Sequence, residues 1–583
     1  MLQNAVGYDI IRVGLKGGVL IMKKRAVSVL SAMLLLFSSA YAFEFPTPDW
    51  GALLREKEGM VGQTELELYA EGAADGAPYF GARLEPGAGA YLGMIAETSE
   101  SFQPLGSYLT YINDMWQDDL YYPANEMIRN GNAVTMVGWT INDMGSVNYE
   151  KVRSVLNTLA AYNKPMFIRF ANEMNVSALG NDPSKYIEVF RTVADMVHEY
   201  PNFAVVWSPN DLGGLDRPFE YFYPGNEYVD WIGVSCYSIK YFQGNPDTDY
   251  KSSVYFMTGD YAWTTNRLKP IMSFMEKNSI SKPVMISEGG AATGNSYGEN
   301  LEEWAAPRLR NMLWYAVMKY PQIKMVNYFN VIRADETERF NISEYPYAAE
   351  IFREAAASGA YIRGIGEKAE FVFRKAEESG TLAAKNGTVR LYSLTYIPGN
   401  PNPTVSYSID GVWYHASGQI PYVCNLGIQS LSDGAHSLKI QTGGAEKSYT
   451  FYKTGQYIRF GAQPEIPTPV IRVTLDGQEI GFDQPPVIVR DRTLVPLRAI
   501  FEAMGAVVSW DDTTETVTAV RGNTKISLQI GSDKLFVNGS ERVLDVPAQL
   551  MGGRTLVPAR AVAEGLGADV GWNDETQTVI ITQ

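Results

Sequence analysis

The stretch Lys164-Pro165-Met166-Phe167-Ile168-Arg169-Phe170-Ala171-Asn172-Glu173-Met174-Asn175 decides the fold predicted for this chain. Pro165 ends a preceding helical pattern, and the five residues from Met166 form a mostly apolar run of buried-strand length. The run stops at Asn172 and Glu173. A carboxylate just after a buried parallel strand is typical of the active side of a (β/α)8 barrel. The alternative is a glutamate that only caps the following loop, because most glutamates are exposed.

A second stretch repeats this design: Lys282-Pro283-Val284-Met285-Ile286-Ser287-Glu288-Gly289-Gly290. Again Lys-Pro precedes an apolar strand, and the strand ends on a glutamate, here followed by glycines. Two glutamates in equivalent positions favour carboxylate chemistry over simple loop capping.

Strands and helices alternate over about 270 residues, and this alternation predicts a parallel sheet. Predicted strands begin near residues 91, 133, 166, 204, 228, 284 and 323, and a further strand lies unplaced between Ser101 and Arg129. Asp182 and Pro183 are typical of a helix N-cap and first helical position. A count near eight predicts a closed (β/α)8 TIM barrel of the α/β class.

Composition excludes several other functions. The net charge of −16 argues against a nucleic-acid partner. The three histidines, His198, His415 and His436, are scattered and none ends an apolar strand, so a Ser-His-Asp or Cys-His site is not expected. Zinc on histidine or cysteine is equally disfavoured, and we predict no metal and no organic cofactor. The two cysteines fall in different predicted domains and are not expected to pair.

The N-terminus has the pattern of an export signal. Met22-Lys23-Lys24-Arg25 is a basic region, an apolar stretch runs from Ala26 to Phe37, and Ala40-Tyr41-Ala42 is a cleavage-site pattern. Residues 1–42 are therefore predicted to be an upstream extension and a signal peptide, with Met1 and Met22 both open as the start. The apolar stretch is too short for a membrane span and no longer one follows, which predicts a secreted or surface-attached protein without a transmembrane anchor.

Several polar and aromatic residues follow the predicted strands and are candidates for substrate binding. The polar and tyrosine candidates are Asp143, Asn210, Asp211, Tyr237 and Asn330, and the aromatic residues beside them are Trp139, Trp207 and Phe329. For each aromatic residue, packing in the core is the alternative. Trp207 is favoured for substrate contact because Ser208-Pro209-Asn210 forces a turn directly after it.

Five stretches of the chain resemble glycoside hydrolase family 26, a member of clan A. They are Arg169 to Asn175, Val206 to Asn210, Tyr223 to Val234, Lys282 to Glu288, and Ile323 to Asn330. The resemblance implies a retaining glycoside hydrolase with Glu173 as acid/base and Glu288 as nucleophile. It also implies that Tyr237 holds the nucleophile and that Arg169 supports the site. The family usually has histidine before its acid/base, whereas this chain has Asn172, the residue that most other clan A families use to bind the sugar 2-hydroxyl.

Retaining hydrolysis needs two carboxyl groups about 5–5.5 Å apart, one protonated and one ionised. The fourth and seventh strands of a barrel face each other across its mouth, which allows this spacing. The predicted substrate is a β-linked polysaccharide, with β-1,4-mannan as the leading candidate. Xylan and mixed-linkage β-glucan stay open as substrates, and so do a non-catalytic carbohydrate-binding barrel and a purely structural surface protein.

The domain organisation follows from changes in pattern. We predict the barrel domain at 43–362, with an irregular segment to about residue 88, and a β-sandwich of immunoglobulin size at 363–462, where strands alternate at period two. The sandwich is expected to be a spacer, with sugar binding as the alternative.

Residues 463–583 contain an internal duplication. Arg492-Thr493-Leu494-Val495-Pro496 recurs 62 positions later at Arg554-Thr555-Leu556-Val557-Pro558, and Trp510 recurs at the same offset as Trp572. This region resembles the copper amine oxidase N-terminal-like, or stalk, domain. It has no histidine and no cysteine, and its only thioethers are Met504 and Met551, so we predict no copper. The expected role is that of a surface stalk or of attachment to the cell envelope.

Overall fold

The computed structural model describes residues 64–74, 87–113, 120–210, 217–241, 264–331, 337–465, 471–490, 492–573 and 576–583. The chain divides into two compact units, residues 1–464 and 465–583. The predicted signal peptide lies outside the described residues. None of the described helices combines the length and apolar character needed to cross a membrane.

Eight parallel strands close into a barrel, as the sequence predicts, because the first and last strands pair with each other. In chain order they are β1 Ala90–Ile95, β2 Ser107–Asn113, β3 Val134–Thr140, β4 Met166–Phe170, β5 Phe203–Trp207, β6 Trp231–Ser238, β7 Val284–Ala291 and β8 Ile323–Tyr328. The unplaced second strand is thus β2. A short strand, Tyr361–Ile362, adds to the outside edge of β1.

Helices cover the outside of the barrel. They are Ala124–Asn130, Tyr149–Ala160, Pro183–His198, Thr264–Lys277, Glu302–Arg310, Ala316–Lys319 and Pro346–Ala357, with a π-helical turn at Asn311–Tyr315. The predicted cap is confirmed, because the Asp182 carboxylate accepts a hydrogen bond from the backbone N–H of Lys185 at 3.0 Å. Apolar residues at helical spacing bury one face of each longer helix against the strands.

Alternation along the strands separates the two sides of the barrel wall. On β4, Phe167 belongs to the apolar cluster inside the barrel, whereas Met166, Ile168 and Phe170 belong to the cluster between strands and helices. Arg169 has the same parity as Phe167 and therefore points inward, one layer nearer the carboxyl end. The barrel interior thus contains an apolar cluster, with a buried hydrogen bond from Ser107 to Asn327 beside it, and becomes polar at the mouth.

A β-sandwich follows the barrel and includes one strand from before it. One sheet has the order Val372–Lys375, Glu65–Gly72, Thr388–Tyr396, Tyr422–Gly427; the other has Thr381–Ala383, Tyr457–Phe460, Ala445–Thr454, Gly434–Thr442, Val405–Ile409, Val412–Ser417. The prediction that residues 43–88 belong to the barrel as an irregular segment is wrong for Glu65–Gly72. This strand pairs antiparallel with both of its neighbours in the sandwich.

Barrel and sandwich share a buried boundary. The Tyr315 hydroxyl donates to the carbonyl of Ser393 at 3.1 Å and accepts from the N–H of Thr395 at 2.9 Å, all within one continuous apolar core. Glu65 forms an ion pair with Lys319. These contacts explain why the two predicted domains form a single compact unit. Both cysteines, Cys236 and Cys424, are buried within this unit and neither is in a disulfide.

The C-terminal unit is built from the predicted repeat, and the repeats exchange strands. The first repeat contains Arg472–Leu475, Gln478–Glu479, Val487–Val489, Arg492–Pro496, helix Leu497–Ala503, Val507–Asp511 and Thr516–Arg521. The second contains Lys534–Val537, Ser540–Val543, Gln549–Met551, Arg554–Pro558, helix Ala559–Gly565, Asp569–Asn573 and Thr578–Thr582. Strand Thr524–Gln529 lies between them in sequence. Each outer sheet joins the first hairpin of one repeat to the last two strands of the other.

Candidate active site

Glu173 lies directly after β4 in a backbone conformation that is unusual for its residue type. Its φ and ψ are 55° and 34°, and Ala171 also has a positive φ of 49°. Left-handed backbone costs an L-residue about 1–2 kcal/mol, so two such residues around Asn172 indicate a constrained turn. Hydrogen bonds hold this turn, because the N–H of Glu173 donates to the carbonyl of Ser208 at 2.8 Å.

Glu288 lies inside the barrel because strand β7 has an irregular register. Strict alternation from Met285 would point Ser287 inward and Glu288 outward. The pairing with β6 shifts between Val234 and Ser235, and this shift places Glu288 opposite Ser235. A bulge of this kind changes the direction of a side chain. Glu288 is consequently 5% exposed, and its carboxylate faces the polar upper layer of the barrel.

Arg169 organises this polar layer. Its guanidinium is fully buried and pairs with Glu288, with Nη1 3.2 Å from Oε2. Nε donates to the Ser208 hydroxyl at 2.9 Å, and Nη2 donates to the Ser235 hydroxyl at 2.6 Å. Ser235 in turn donates to Glu288 Oε1 at 3.1 Å. The Glu288 carboxylate is therefore held on both oxygens by groups that are themselves fixed.

The two carboxyl groups have opposite pKa shifts. Burial raises the pKa of Glu173, the negative charge of Glu288 raises it further, and Arg169 and hydrogen bonds only partly oppose this, so its pKa is about 7. Burial also acts to raise the pKa of Glu288. There the Arg169 charge and the hydrogen bonds from Tyr111 and Arg169 prevail, and the pKa falls below its ordinary value. Near neutral pH one carboxyl group can hold a proton while the other is ionised.

Two asparagines flank Glu173. Asn210 donates from Nδ2 to Glu173 Oε1 at 2.9 Å. The side chain of Asn175 holds Asn210 in place: Asn175 Oδ1 accepts from the backbone N–H of Asn210 at 2.9 Å, and Asn175 Nδ2 donates to the backbone carbonyl of Asn210 at 2.8 Å. Asn172 differs from both, because its Oδ1 is buried and has no hydrogen-bond partner within the described part of the chain. Such an atom is available to a ligand hydroxyl.

The tyrosine that donates a hydrogen bond to the predicted nucleophile is Tyr111, and the sequence analysis missed this residue. The Tyr111 hydroxyl donates to Glu288 Oε2. Its own pKa is well above the ordinary value, because desolvation and the negative charge of Glu288 both disfavour its ionised form, so it remains a donor. Tyr237, predicted for this role, makes no hydrogen bond to Glu288 among the described residues and packs against Phe329 and Phe340 instead. That part of the prediction is wrong.

The two tryptophans predicted to bind substrate are buried on the outer side of the barrel wall. Trp207 is 0% exposed, and its ring centroid lies 5.0 Å from that of Tyr223 and 6.3 Å from that of Phe274. Trp139 is 2% exposed and packs edge-on against Phe170 at 5.6 Å. Neither ring has a free face on which a sugar could stack. The prediction is wrong for both, because their parity along the strand points them toward the helices.

The other strand-end candidates have structural contacts or lie outside the description. Asp143 is exposed and caps a short turn by accepting from the N–H of Gly145 at 2.9 Å. Asn330 is buried and accepts from the N–H of Ile342 at 2.9 Å while donating to Ser343 at 3.0 Å. Asp211 lies outside the described residues. The described part of the chain contains no group of three or more side chains that could together hold a metal ion.

A closed (β/α)8 barrel with two interacting carboxyl groups at the carboxyl ends of its strands is the arrangement of the barrel glycoside hydrolases. Residues 141–291, which include both glutamates, match glycosyl hydrolase family 26, and residues 474–581 match the copper amine oxidase N-terminal domain. The barrel therefore contains a region that matches glycosyl hydrolase family 26, and a region that matches the copper amine oxidase N-terminal domain follows it in the same chain.

Relatives are similar to parts of the chain. A protease inhibitor from Brevibacillus choshinensis is 29% identical over 118 residues, which are 20% of this chain and 35% of the inhibitor. A beta-1,3-xylanase from a Vibrio species is 25% identical over 125 residues, 20% of this chain and 26% of the xylanase. The chain thus spans about a third and about a quarter of the lengths of these two relatives.

Two solved mannanase structures are similar to part of this chain at low identity and low TM-score. A Cellulomonas fimi endo-beta-1,4-mannanase double mutant is 14% identical with a TM-score of 0.33, over 62% of this chain and 93% of the mannanase. A family 26 beta-mannanase from Bacteroides ovatus is 13% identical with a TM-score of 0.34, over 48% of this chain and 92% of that structure.

The name of the second domain implies copper, but its residues do not suit that metal. Residues 463–583 contain no histidine and no cysteine. Met504, one of two thioethers, is 2% exposed in the apolar core of the unit. Copper prefers imidazole and soft sulfur ligands, so we assign no copper chemistry to this domain.

Proposed function

We propose that the barrel hydrolyses a β-linked polysaccharide with retention of configuration, with Glu173 as acid/base and Glu288 as nucleophile. The observation that supports this most is the pair of opposite pKa shifts: Glu173 is raised to about 7 and Glu288 is lowered, with Arg169 beside Glu288. A binding-only barrel has no need of a protonated and an ionised carboxyl group in direct interaction.

In the first step Glu173 protonates the glycosidic oxygen while an oxygen of Glu288 attacks the anomeric carbon. The leaving saccharide departs with that proton, and the sugar becomes covalently bound to Glu288. In the second step Glu173, now ionised, takes a proton from water, and the water oxygen displaces Glu288 from the anomeric carbon. Both groups return to their starting protonation states. Arg169, Ser235 and Tyr111 stabilise the ionised Glu288 at the start and end of this cycle.

Asn172 is the residue we propose to bind the sugar beside the reacting carbon. Its Oδ1 is buried without a hydrogen-bond partner among the described residues, and a ring hydroxyl would satisfy it. We keep Tyr237 and Asn210 as residues of the substrate site, since Tyr237 is only half-buried and Asn210 contacts Glu173 directly.

β-1,4-Mannan is the leading substrate because of the family, and β-1,3-xylan is the second candidate because of the similarity to the Vibrio xylanase. The direct test is release of reducing sugar by the full chain from mannan, β-1,4- and β-1,3-xylan and mixed-linkage β-glucan. We expect turnover on one of these polymers and formation of the β-anomer first, as seen by NMR. Release of the α-anomer first would contradict retention, and no turnover on any polymer or aryl glycoside would favour a binding-only barrel.

Replacing Tyr111 with phenylalanine tests the hydrogen bond to the nucleophile. A hydrogen bond to a charged group contributes about 1.5–3 kcal/mol, so we expect kcat/KM to fall roughly tenfold or more. Because the lost bond stabilises the ionised form of Glu288, the pKa of Glu288 should rise, and the acid limb of the pH–activity profile should move to higher pH.

Tyr237→Phe is the matched control, because its ring lies near the same carboxylate without a hydrogen bond to it. The acid limb should stay in place in this variant, whatever the change in KM. A shift of the acid limb in Tyr237→Phe but not in Tyr111→Phe would return the nucleophile-holding role to Tyr237.

We further propose that the chain is exported and attached to the cell envelope through its C-terminal domain. The support is the signal-like pattern of residues 22–42 and the stalk-type duplication. N-terminal sequencing of protein from the culture fluid and from washed cells tests this, and we expect a mature chain that begins near Phe43.

A further inference from the structure

A cleft in the C-terminal unit has a volume of about 700 Å³ and is lined by residues of both repeats. From the first repeat come Trp510, Arg498 and Glu502; from the second come Leu550 and Arg554. Trp510 is 39% exposed and Leu550 is 61% exposed, and both line this one cleft, so exposed apolar surface is concentrated there. The indole N–H of Trp510 donates to Asp512, so the ring is fixed at the edge of the cleft.

The duplication produces the same set of residues a second time. At the constant offset of 62 positions, Trp510 corresponds to Trp572, Arg498 to Arg560 and Glu502 to Glu564. Trp572 is also exposed, at 37%, and Ile488, the counterpart of Leu550, is 46% exposed. We call the observed cleft the Trp510 cleft, and we call the region that the repeat places around Trp572 the Trp572 cleft.

A local two-fold axis relates the two sets. The repeated strands Arg492–Pro496 and Arg554–Pro558 pair antiparallel with Val495 opposite Val557, which are equivalent positions. The ion pairs obey the same symmetry, because Arg554 pairs with Asp483 and Arg492 pairs with Asp545. Each pair therefore joins one repeat to the other. An exposed tryptophan is present in both symmetry-related sets. The apolar core of the unit does not require it, because the core consists of other residues.

Charge and shape together limit the ligand. The Trp510 cleft is lined by two arginines, Arg498 and Arg554, and two carboxylates, Glu502 and Asp483, so its formal charges cancel. An anionic ligand would be opposed by the carboxylates and by the net charge of −16. An exposed aromatic face beside planar, charged hydrogen-bonding groups suits a molecule that has apolar C–H faces and many hydroxyl groups.

We propose that the Trp510 and Trp572 clefts are two equivalent binding sites for an uncharged polysaccharide. Each indole stacks on a sugar ring, and the surrounding arginines and carboxylates bind its hydroxyl groups. The choice of a polysaccharide over a peptide rests on the proposed function of the barrel. Two identical sites at a fixed separation suit a polymer with a repeating unit, because binding at one site raises the effective concentration at the other.

The test is affinity electrophoresis of the full chain in gels that contain mannan, xylan or mixed-linkage β-glucan, with sedimentation on purified cell walls as a separate arm. Glu288→Gln is used as the parent so that the polymer is not degraded. Trp510→Ala and Trp572→Ala should each weaken binding about three- to tenfold, as expected for loss of one stacking contact. The double variant should lose about ten- to a hundredfold, because the two losses multiply when both linked sites are weakened.

Two control variants separate binding from folding. Trp413 is 70% exposed on the sandwich, outside the C-terminal unit, and Trp413→Ala should bind like the parent. The double variant Trp510→Phe, Trp572→Phe keeps an aromatic ring at each site and should retain most of the binding. All variants should keep the parent's thermal transition.

The result that overturns the proposal is a double alanine variant that binds as well as the parent, a parent that binds none of the polymers, or phenylalanine variants as weak as the alanine ones. Binding in the polysaccharide gels indicates that the ligand is a free polymer, whereas sedimentation with cell walls indicates that it is a glycan of the envelope. The proposed function of the barrel is judged separately, by turnover of chains with Glu288 intact. If no turnover is found but binding still depends on the two tryptophans, the proposed hydrolase function of the barrel is wrong and the proposed binding sites stand.

Discussion

Glu288→Gln is expected to abolish hydrolysis of every substrate, with kcat lowered by at least about a thousandfold. The amide has almost the same shape as the carboxylate but cannot form the covalent intermediate. Among the described residues, Glu173 is the carboxyl group that interacts with Glu288, and it has to hold the proton, so it cannot replace the nucleophile. The measurement is kcat on the best polymer and on an activated aryl glycoside.

Chemical rescue makes this experiment specific for a nucleophile. Glu288→Gly leaves space for azide beside the anomeric carbon, and we expect azide to restore turnover of aryl glycosides and to give a glycosyl azide of inverted configuration. Glu288→Gln fills that space and should not be rescued. Glu303→Gln, an exposed change on an outer helix, is the matched control and should keep wild-type kcat. Near-wild-type activity of Glu288→Gln would exclude the nucleophile assignment.

The sequence located the two glutamates but not the reason that both can face the same space. Lys-Pro followed by an apolar run identifies the strand, and the strand end identifies Glu173 and Glu288 as candidates. Alternation counted from Met285 points Glu288 outward, and only the register shift opposite Ser235 turns it inward. A bulge depends on the pairing of two strands that are distant in sequence, so the local pattern does not contain it.

The tryptophan predictions failed for a reason that the sequence did contain. Phe203, Val205 and Trp207 have the same parity on β5, and a strand covered by helices buries that side as well as the inner one. Nearness to a strand end was not sufficient, because parity decides whether a side chain reaches the mouth. Tyr111 was missed for the opposite reason: its strand lies in an aromatic-rich segment, Ser101 to Arg129, where no period stands out.

Long-range pairing explains the remaining difference. Leu66 and Leu68 alternate with Glu65 and Glu67, which is a strand signal, yet nothing local indicates that the partners lie more than 300 residues away in the sandwich. In the C-terminal unit the repeat itself is evident from sequence. The exchange of strands between the repeats is not evident from sequence, because a hairpin that pairs within its own repeat would have the same local pattern as one that pairs with the other repeat.

The protonation state of Glu173 should set the alkaline limit of activity. Its pKa is raised to about 7 by burial and by the Glu288 charge, so the acid form predominates below that pH and is lost above it. The acid limit comes from Glu288, whose pKa is lowered and which must be ionised. We therefore expect a bell-shaped profile of kcat/KM with an alkaline limb near pH 7. Because the two glutamates interact, the apparent pKa values of the two limbs belong to the pair and not to either residue alone. Glu288→Gln removes the neighbouring charge and should lower the pKa of Glu173, as measured by NMR titration of labelled glutamate.

Glu173→Ala is expected to separate substrates by their leaving groups. General acid catalysis contributes about 10²–10⁴-fold, so hydrolysis of the polymer should fall by about that factor. The first step on a dinitrophenyl glycoside should be almost unaffected, because that leaving group departs without a proton. Azide should speed the second step, since it needs no base, and should give a glycosyl azide of retained configuration. Asp143→Ala, at an exposed turn cap, is the matched control and should show no such dependence. Equal losses on polymer and activated glycoside in Glu173→Ala would exclude it as the acid, because a proton donor matters only where the leaving group needs one.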